Sequence, residues 1–173
     1  MVSVAHLRYE NATVFIRALQ NIPKITTPGL QLNETPRDSE LETYYWLARI
    51  LVAEGLAEYI EEPMPSNEWT QVHFKERINP ASPPGPLPDD FYARAFQSFM
   101  NSSGDEEKES VMNRIRARFR EILDSRIGRI TRMAVSTADS PTSPLQREEI
   151  ILYEEVHRIV SDWREKMRSI GGE

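Results

Sequence analysis

The chain carries three histidines, His6, His73 and His157, and no cysteine. Imidazoles and thiolates are the usual ligands for transition metals and the usual starting points for nucleophilic catalysis. None of these histidines stands at metal-ligand spacing from another, and the lack of cysteine removes thiolate chemistry and disulfides. His157 follows Glu154 and Glu155 on a helical stretch, as an exposed surface histidine does. The seven glycines are dispersed, so neither a phosphate-cradling loop nor a dinucleotide fingerprint is present. No GxSxG elbow occurs. The adjacent carboxylates Glu148-Glu149 and Asp89-Asp90 fit first-turn acids and helix caps better than an acid–base pair. The expectation is a protein that is not an enzyme, with no catalytic, metal or cofactor-binding residues and no cofactor.

Arginine is the other chemically active type. Arg114, Arg116, Arg118, Arg120, Arg126, Arg129 and Arg132 share one stretch with Met112, Ile115, Phe119, Ile122, Leu123, Ile130 and Met133. The apolar residues recur by three and four, as on one face of a helix. Most of the arginines read as a solvated face, interspersed with Glu121 and Asp124. Arg126 differs, because it lies four residues after Ile122 and four before Ile130, on the apolar stripe. A buried guanidinium needs a partner. A carboxylate of the last helix is expected to supply it, Glu149 in first place and Glu148 in second. With a net charge of −6 and no aromatic interleaving, weak or no direct DNA binding is expected. A helical DNA-binding regulator using this stretch is the alternative function. Aromatic residues mark a candidate protein interface: Tyr44, Tyr45, Trp46, Phe91, Tyr92, Tyr153 and Trp163.

These residues must be positioned by two parts of different grammar. Ile78 to Tyr92 reads INPASPPGPLPDDFY, and its five prolines exclude helix interior and central strand. Before it the pattern is mixed. Val14-Phe15-Ile16 reads as a strand, Ile22 to Ile25 as an edge strand, and Thr27-Pro28-Gly29 as a turn. Leu41 to Glu54 reads as a helix with Gly55 as its C′ residue, and Leu56 to Ile60 as a strand. Ser66 reads as the N-cap of a helix carrying Trp69 and Val72. After the prolines every element reads as helix. One starts at Asp89 or Asp90 and breaks at Asn101 to Gly104. A second runs from Asp105 to about Val135. Past a polar loop over Thr137 to Pro144, a third opens at Ser143-Pro144-Leu145-Gln146 and ends near Gly171-Gly172.

The predicted fold class is α+β: a small N-terminal β-rich α/β domain over 1–78, a proline-rich joint over 79–88 that acts as a semi-rigid spacer, and a helical domain over 89–173. The helices are expected to form an antiparallel bundle. No apolar run approaches the ~20 residues that span a bilayer, and MVSVAHLRYE lacks the pattern of a secretory leader. No membrane association is expected, and the expected location is the cytoplasm, or the nucleus in a eukaryote.

Several stretches resemble the GINS family of replication-fork scaffold subunits. VFIRALQNIPKITTPGLQL and YYWLARILVAEGLAEY are similar to its small domain. LPDDFYARAF, REILDSRIGRITRMA and SPLQREEIILYEEVHRIV are similar to the opening, middle and closing helices of its helical domain. The likeness spans nearly the whole chain and rests on the order and spacing of motifs. In one departure, Arg129 stands where the family's "R-x-x-K-I" pattern often has lysine. The small-domain-first order resembles the permuted branch of the family, in its archaeal form. The resemblance implies a non-catalytic subunit of a four-subunit complex. It would pair with a helical-domain-first GINS subunit and bridge the MCM helicase and a RecJ/Cdc45-like protein at the replication fork, with DNA polymerase or primase as further candidate partners.

Overall fold

The computed structural model describes residues 9–60, 63–101, 106–136 and 142–171. Its fold class is α+β. The chain divides into two compact units, Met1–Pro63 with Ala93–Ser103 and Met64–Tyr92 with Gly104–Glu173.

The first unit is built on the strand β1 (Thr13–Ala18), which pairs antiparallel with β4 (Glu40–Tyr44) on one side and β5 (Ala57–Tyr59) on the other. Alternation along β1 sends Ile16 and Ala18 into the core and Phe15 and Arg17 to the opposite face. A separate hairpin joins β2 (Ile25–Thr27) to β3 (Leu30–Leu32) through Pro28-Gly29, where Gly29 has a φ of +88°. Ile22 makes only an isolated bridge to Thr35, so the Ile22–Ile25 strand shifts to start at Ile25.

The helix α1 (Tyr45–Ala53) closes the core with Leu47, Ala48 and Leu51 against Ile16, Ala18, Ile22 and Ala57. It is shorter than the sequence suggests. The residues Leu41 to Tyr44 belong to β4, because pairing with the central strand outweighs a helical pattern that is apolar enough for either state. The helix ends in a Schellman motif. Gly55, at φ +71°, donates to the Val52 carbonyl (3.0 Å) and Leu56 to the Leu51 carbonyl (2.9 Å), which turns the chain directly into β5.

The second unit holds α2 (Ser66–Ile78), α4 (Glu106–Val135) and α5 (Arg147–Gly171), with α4 packed against both others. Its core includes Trp69, Phe91 and Phe119, with ring centroids 5.7–6.2 Å apart, and Ile115, Ile122, Ile130 and Met133. The intervening helix α3 (Phe91–Met100) is divided between the units, since Phe91 and Tyr92 fall in the second and Ala93 onward in the first. Compactness therefore cuts the chain differently from composition. The helix α2, N-terminal to the prolines, packs with α4, while most of α3, C-terminal to them, packs in the sheet unit.

The helices of the second unit pack parallel, which overturns the antiparallel packing expected of α4 and α5. Thr70, His73 and Glu76 of α2 meet Arg118, Glu121 and Ser125 of α4 in rising order. Glu149 meets Arg126, and His157 meets the Ala134 carbonyl, each pair 23 residues apart. The antiparallel expectation assumes short loops. Here α5 begins at Arg147, which the 23-residue offset sets beside Asp124, within α4 rather than past its last residue.

Two caps shift as well. Pro65 stands at the N-cap of α2 and Ser66 is already helical. The helix α5 begins at Arg147, so Gln146 takes the cap position in place of Ser143, and Glu149 at N3 accepts the Gln146 N–H at 2.9 Å. Among the described residues no helix is long and apolar enough to cross a membrane. His6, Ser102–Asp105, Thr137–Pro141 and Gly172 lie outside the described residues.

Candidate functional site

The residue with the most unusual chemistry is Arg126, 1% exposed at the middle of α4. Its Nε donates to Glu149 Oε1 at 2.7 Å and its Nη2 to Glu149 Oε2 at 2.6 Å, a bidentate pair. Its Nη1 donates to Glu76 Oε1 at 3.1 Å and to the Gly85 carbonyl. Tyr92 Oη donates to Glu149 Oε1 at 2.8 Å, and Ser125 Oγ to Glu76 Oε2 at 3.3 Å. Arg129, also buried, donates to the Glu76 carbonyl and lies 3.8 Å from Glu76 Oε2.

Charges balance in this cluster, with two guanidiniums against two carboxylates. Burial disfavours the Arg126 cation, but the Glu149 hydrogen bonds and the charges of Glu149 and Glu76 outweigh it and hold its pKa above the ordinary value. Burial, reinforced by the Glu149 carboxylate, pushes the Tyr92 phenol well above its usual value, so it remains a donor. Every acceptor faces a fixed donor, an arrangement that holds elements together and presents no free base or nucleophile.

Of the two carboxylates weighed from the sequence, Glu149 is the one on the guanidinium. Glu76 was not expected. It lies four residues after Val72 and seven after Trp69, on the same buried stripe of α2, and that spacing was the signal for it.

The cluster also holds the proline segment. Arg132 Nη2 donates to the Pro80 carbonyl at 2.6 Å, and Gln146 Nε2 to the carbonyls of Pro88 at 3.2 Å and Leu87 at 3.5 Å. Prolines carry no N–H, so this segment cannot pair as a strand, and its carbonyls are met by side chains. It is a strap fastened to its own unit rather than a spacer. A cavity of about 240 Å³ beside it, lined by Val72, Lys75, Glu76, Pro86, Leu87 and Pro88, is smaller than a small-molecule site ordinarily needs.

The two described histidines are also engaged. His73 Nε2 lies 2.6 Å from Glu121 Oε2, and this hydrogen bond, with the His73 charge, holds Glu121 below its ordinary pKa. His157 Nδ1 lies 2.9 Å from the Ala134 carbonyl, and Arg164 donates to the Val135 carbonyl at 2.6 Å. Both meet carbonyls of the last turn of α4, which have no acceptor role left inside the helix. Among the described residues no group of three or more His, Asp or Glu could hold a metal ion.

The seven interface candidates separate. Tyr45 and Phe91 are fully buried core residues and offer no surface. Tyr45 Oη donates to Asn101 Oδ1 at 2.8 Å, and its ring packs on Phe96 and Tyr59. Tyr44, Trp46, Tyr92 and Tyr153 are half-buried. Trp163 alone is widely exposed, at 60%, and it is not isolated. Ile159, Met167 and Ile170 are exposed on the same side of α5, and Leu152, Val156, Ile159, Trp163, Lys166 and Ile170 follow a spacing of four and three.

The parallel register explains this exposure. An offset of 23 residues places residue 158 beside Val135, the last residue of α4, so from Ile159 onward α5 has no length of α4 alongside it. Phe74 and Ile78, four apart on α2, and Phe15 on β1 are further exposed apolar residues, each of which reads in the sequence as one member of a local core pattern. No model of a known family matches this chain, and no curated protein matches it either.

Proposed function

We propose that this chain is a non-catalytic assembly subunit, of the GINS type that its motif order resembles, and that it bridges the MCM helicase and a RecJ/Cdc45-like protein at the replication fork. The observation that carries the assembly reading is the overhanging half of α5. A helix whose stripe Leu152–Ile170 repeats by four and three, runs about 27 Å, and is bare over its second half is suited to a partner helix. The partner of first choice is a helical-domain-first GINS subunit, in the cytoplasm of an archaeon. The DNA-binding alternative draws less support. Arg118, Arg126, Arg129 and Arg132 are bonded within the chain, which leaves fewer guanidiniums of α4 for phosphates.

Co-expression with such a subunit, followed by light scattering, tests the proposal. A stable heterotetramer is expected, with Trp163→Glu weakening it at least about tenfold, about 1.4 kcal/mol, at an unchanged melting temperature. A monomer indifferent to that subunit overturns the reading. Steeply salt-dependent duplex binding, lost on replacing Arg114 and Arg120, favours the alternative instead.

A further inference from the structure

The outer face of the three-stranded sheet is the least ordinary surface of the first unit. Antiparallel sheets with one solvated face alternate apolar-in and polar-out. The central strand β1 breaks that rule at Phe15, 60% exposed on the side away from the core. An aromatic ring standing bare at the centre of a sheet, with a strand on each side, is not the edge of the local core.

Its neighbours follow from the register. Glu42 lies directly across from Phe15 on β4, and Arg17 lies across from Glu40 on β4 and Glu58 on β5. Period-two alternation puts all of these on the face that Phe15 occupies. Arg17 is already held from both sides, by Glu40 at 3.1 Å and Glu58 at 3.2 Å. One cation is therefore shared by two carboxylates, and Glu42, beside the ring, adds a third.

We infer that this face is a docking surface, separate from the α5 stripe, and that its partner is a chain segment presenting a lysine or arginine next to an apolar side chain. Charge complementarity selects that chemistry. Phe15 offers apolar contact and a ring face for a cation, and Glu42 offers the counter-charge beside it. The excess of carboxylates repels nucleic acid and anionic membrane alike. A second copy of this chain would bring Glu42, Glu40 and Glu58 against themselves, so self-association through this face is disfavoured.

The test uses the full chain and a labelled, end-blocked Lys-Leu-Lys-Leu-Lys peptide as probe. Saturable binding is expected, with amide shifts confined to β1, β4 and β5. Phe15→Ala should weaken it about fivefold or more and Glu42→Lys about tenfold, at unchanged melting temperature, while Trp163→Ala leaves it untouched. Glu42→Lys should also gain binding to the matching Glu-Leu-Glu-Leu-Glu peptide, which the natural chain does not bind. Failure to saturate at millimolar peptide overturns the inference. So does binding that ignores Phe15→Ala, maps to α5, or is matched by the acidic peptide. A wild-type dimer that Phe15→Ala dissociates also overturns it, since a second copy then covers the face.

Discussion

The chain builds one arrangement twice, an arginine between two glutamates, once on the open sheet and once inside the helical unit. Arg17 reaches Glu40 and Glu58 at 3.1 and 3.2 Å with all three side chains well exposed. Arg126 reaches Glu149 and Glu76 at 2.6 and 3.1 Å with all three nearly sealed from water. The distances are similar and the environments are opposite. In water, solvent screens the attraction, and either partner can be lost with little consequence. In the helical unit, solvent cannot replace a lost partner, so each member becomes indispensable to the others. The exposed triad is free to shape recognition, and the buried one fixes α2, α4, α5 and the proline strap to each other.

The largest expected effect breaks the buried triad. Arg126→Ala leaves Glu76 and Glu149 facing each other without a cation and opens a cavity. A loss of about 3–5 kcal/mol in denaturant unfolding is expected. Arg126→Met leaves the same carboxylates unpaired but fills the space, so it should fall between wild type and alanine. If both variants melt like the wild type, the cluster holds nothing together. Arg17→Ala is the matched control, and its melting temperature should lie within error of the wild type.

A second effect, intermediate in size, is alkaline unfolding. Tyr92 has a raised pKa in the fold, for which burial is the main cause, followed by the Glu149 carboxylate. Burial likewise pushes Tyr59 up to about 12. An acid whose folded pKa lies above its unfolded value of about 10 contributes stability that is complete below that value and lost as pH rises toward the folded pKa. Stability should therefore decline from about pH 10 upward, through about 12 for Tyr59. Phenolate absorbance should lag behind that of a denatured control. Tyr92→Phe should flatten part of the alkaline decline, while Arg17→Ala leaves it unchanged. A decline identical in the Tyr92→Phe variant would show that this phenol does not contribute.

Much of this contrast was legible in the residues. Arg126 stands on its apolar stripe at four-residue spacing from Ile122 and Ile130, and burial with a partner follows from that position alone. Glu76 was equally readable from Trp69 and Val72, but a carboxylate on a helix of mixed pattern draws less notice than an arginine on a long regular one. The direction of packing was not readable, because periodicity names a buried face without saying which way the neighbouring helix runs. The bare half of α5 depends on that direction, so Trp163 could be singled out as an aromatic but not as part of an overhang. The strand Glu40–Tyr44 was hidden for a related reason. Leu41, Thr43 and the tyrosines fit either period, and only the partner strand β1 decides between them.

The smallest effect tests the strap. Gly85 lends its carbonyl to Arg126, and a Cβ added there meets nothing within 4 Å. Its φ lies outside the left-handed region, so alanine fits the same backbone. Gly85→Ala should then stabilise the fold by about 0.4–1 kcal/mol, because alanine narrows the unfolded chain's choices while the Arg126 bond is kept. The outcome separates two descriptions of the proline segment. A strap fastened through the Gly85, Pro80 and Pro88 carbonyls is ordered in the native state, and stiffening it in the unfolded state shows up as a gain. A spacer that stays free in the folded protein loses the same freedom in both states, and the substitution would then leave the melting temperature where it was.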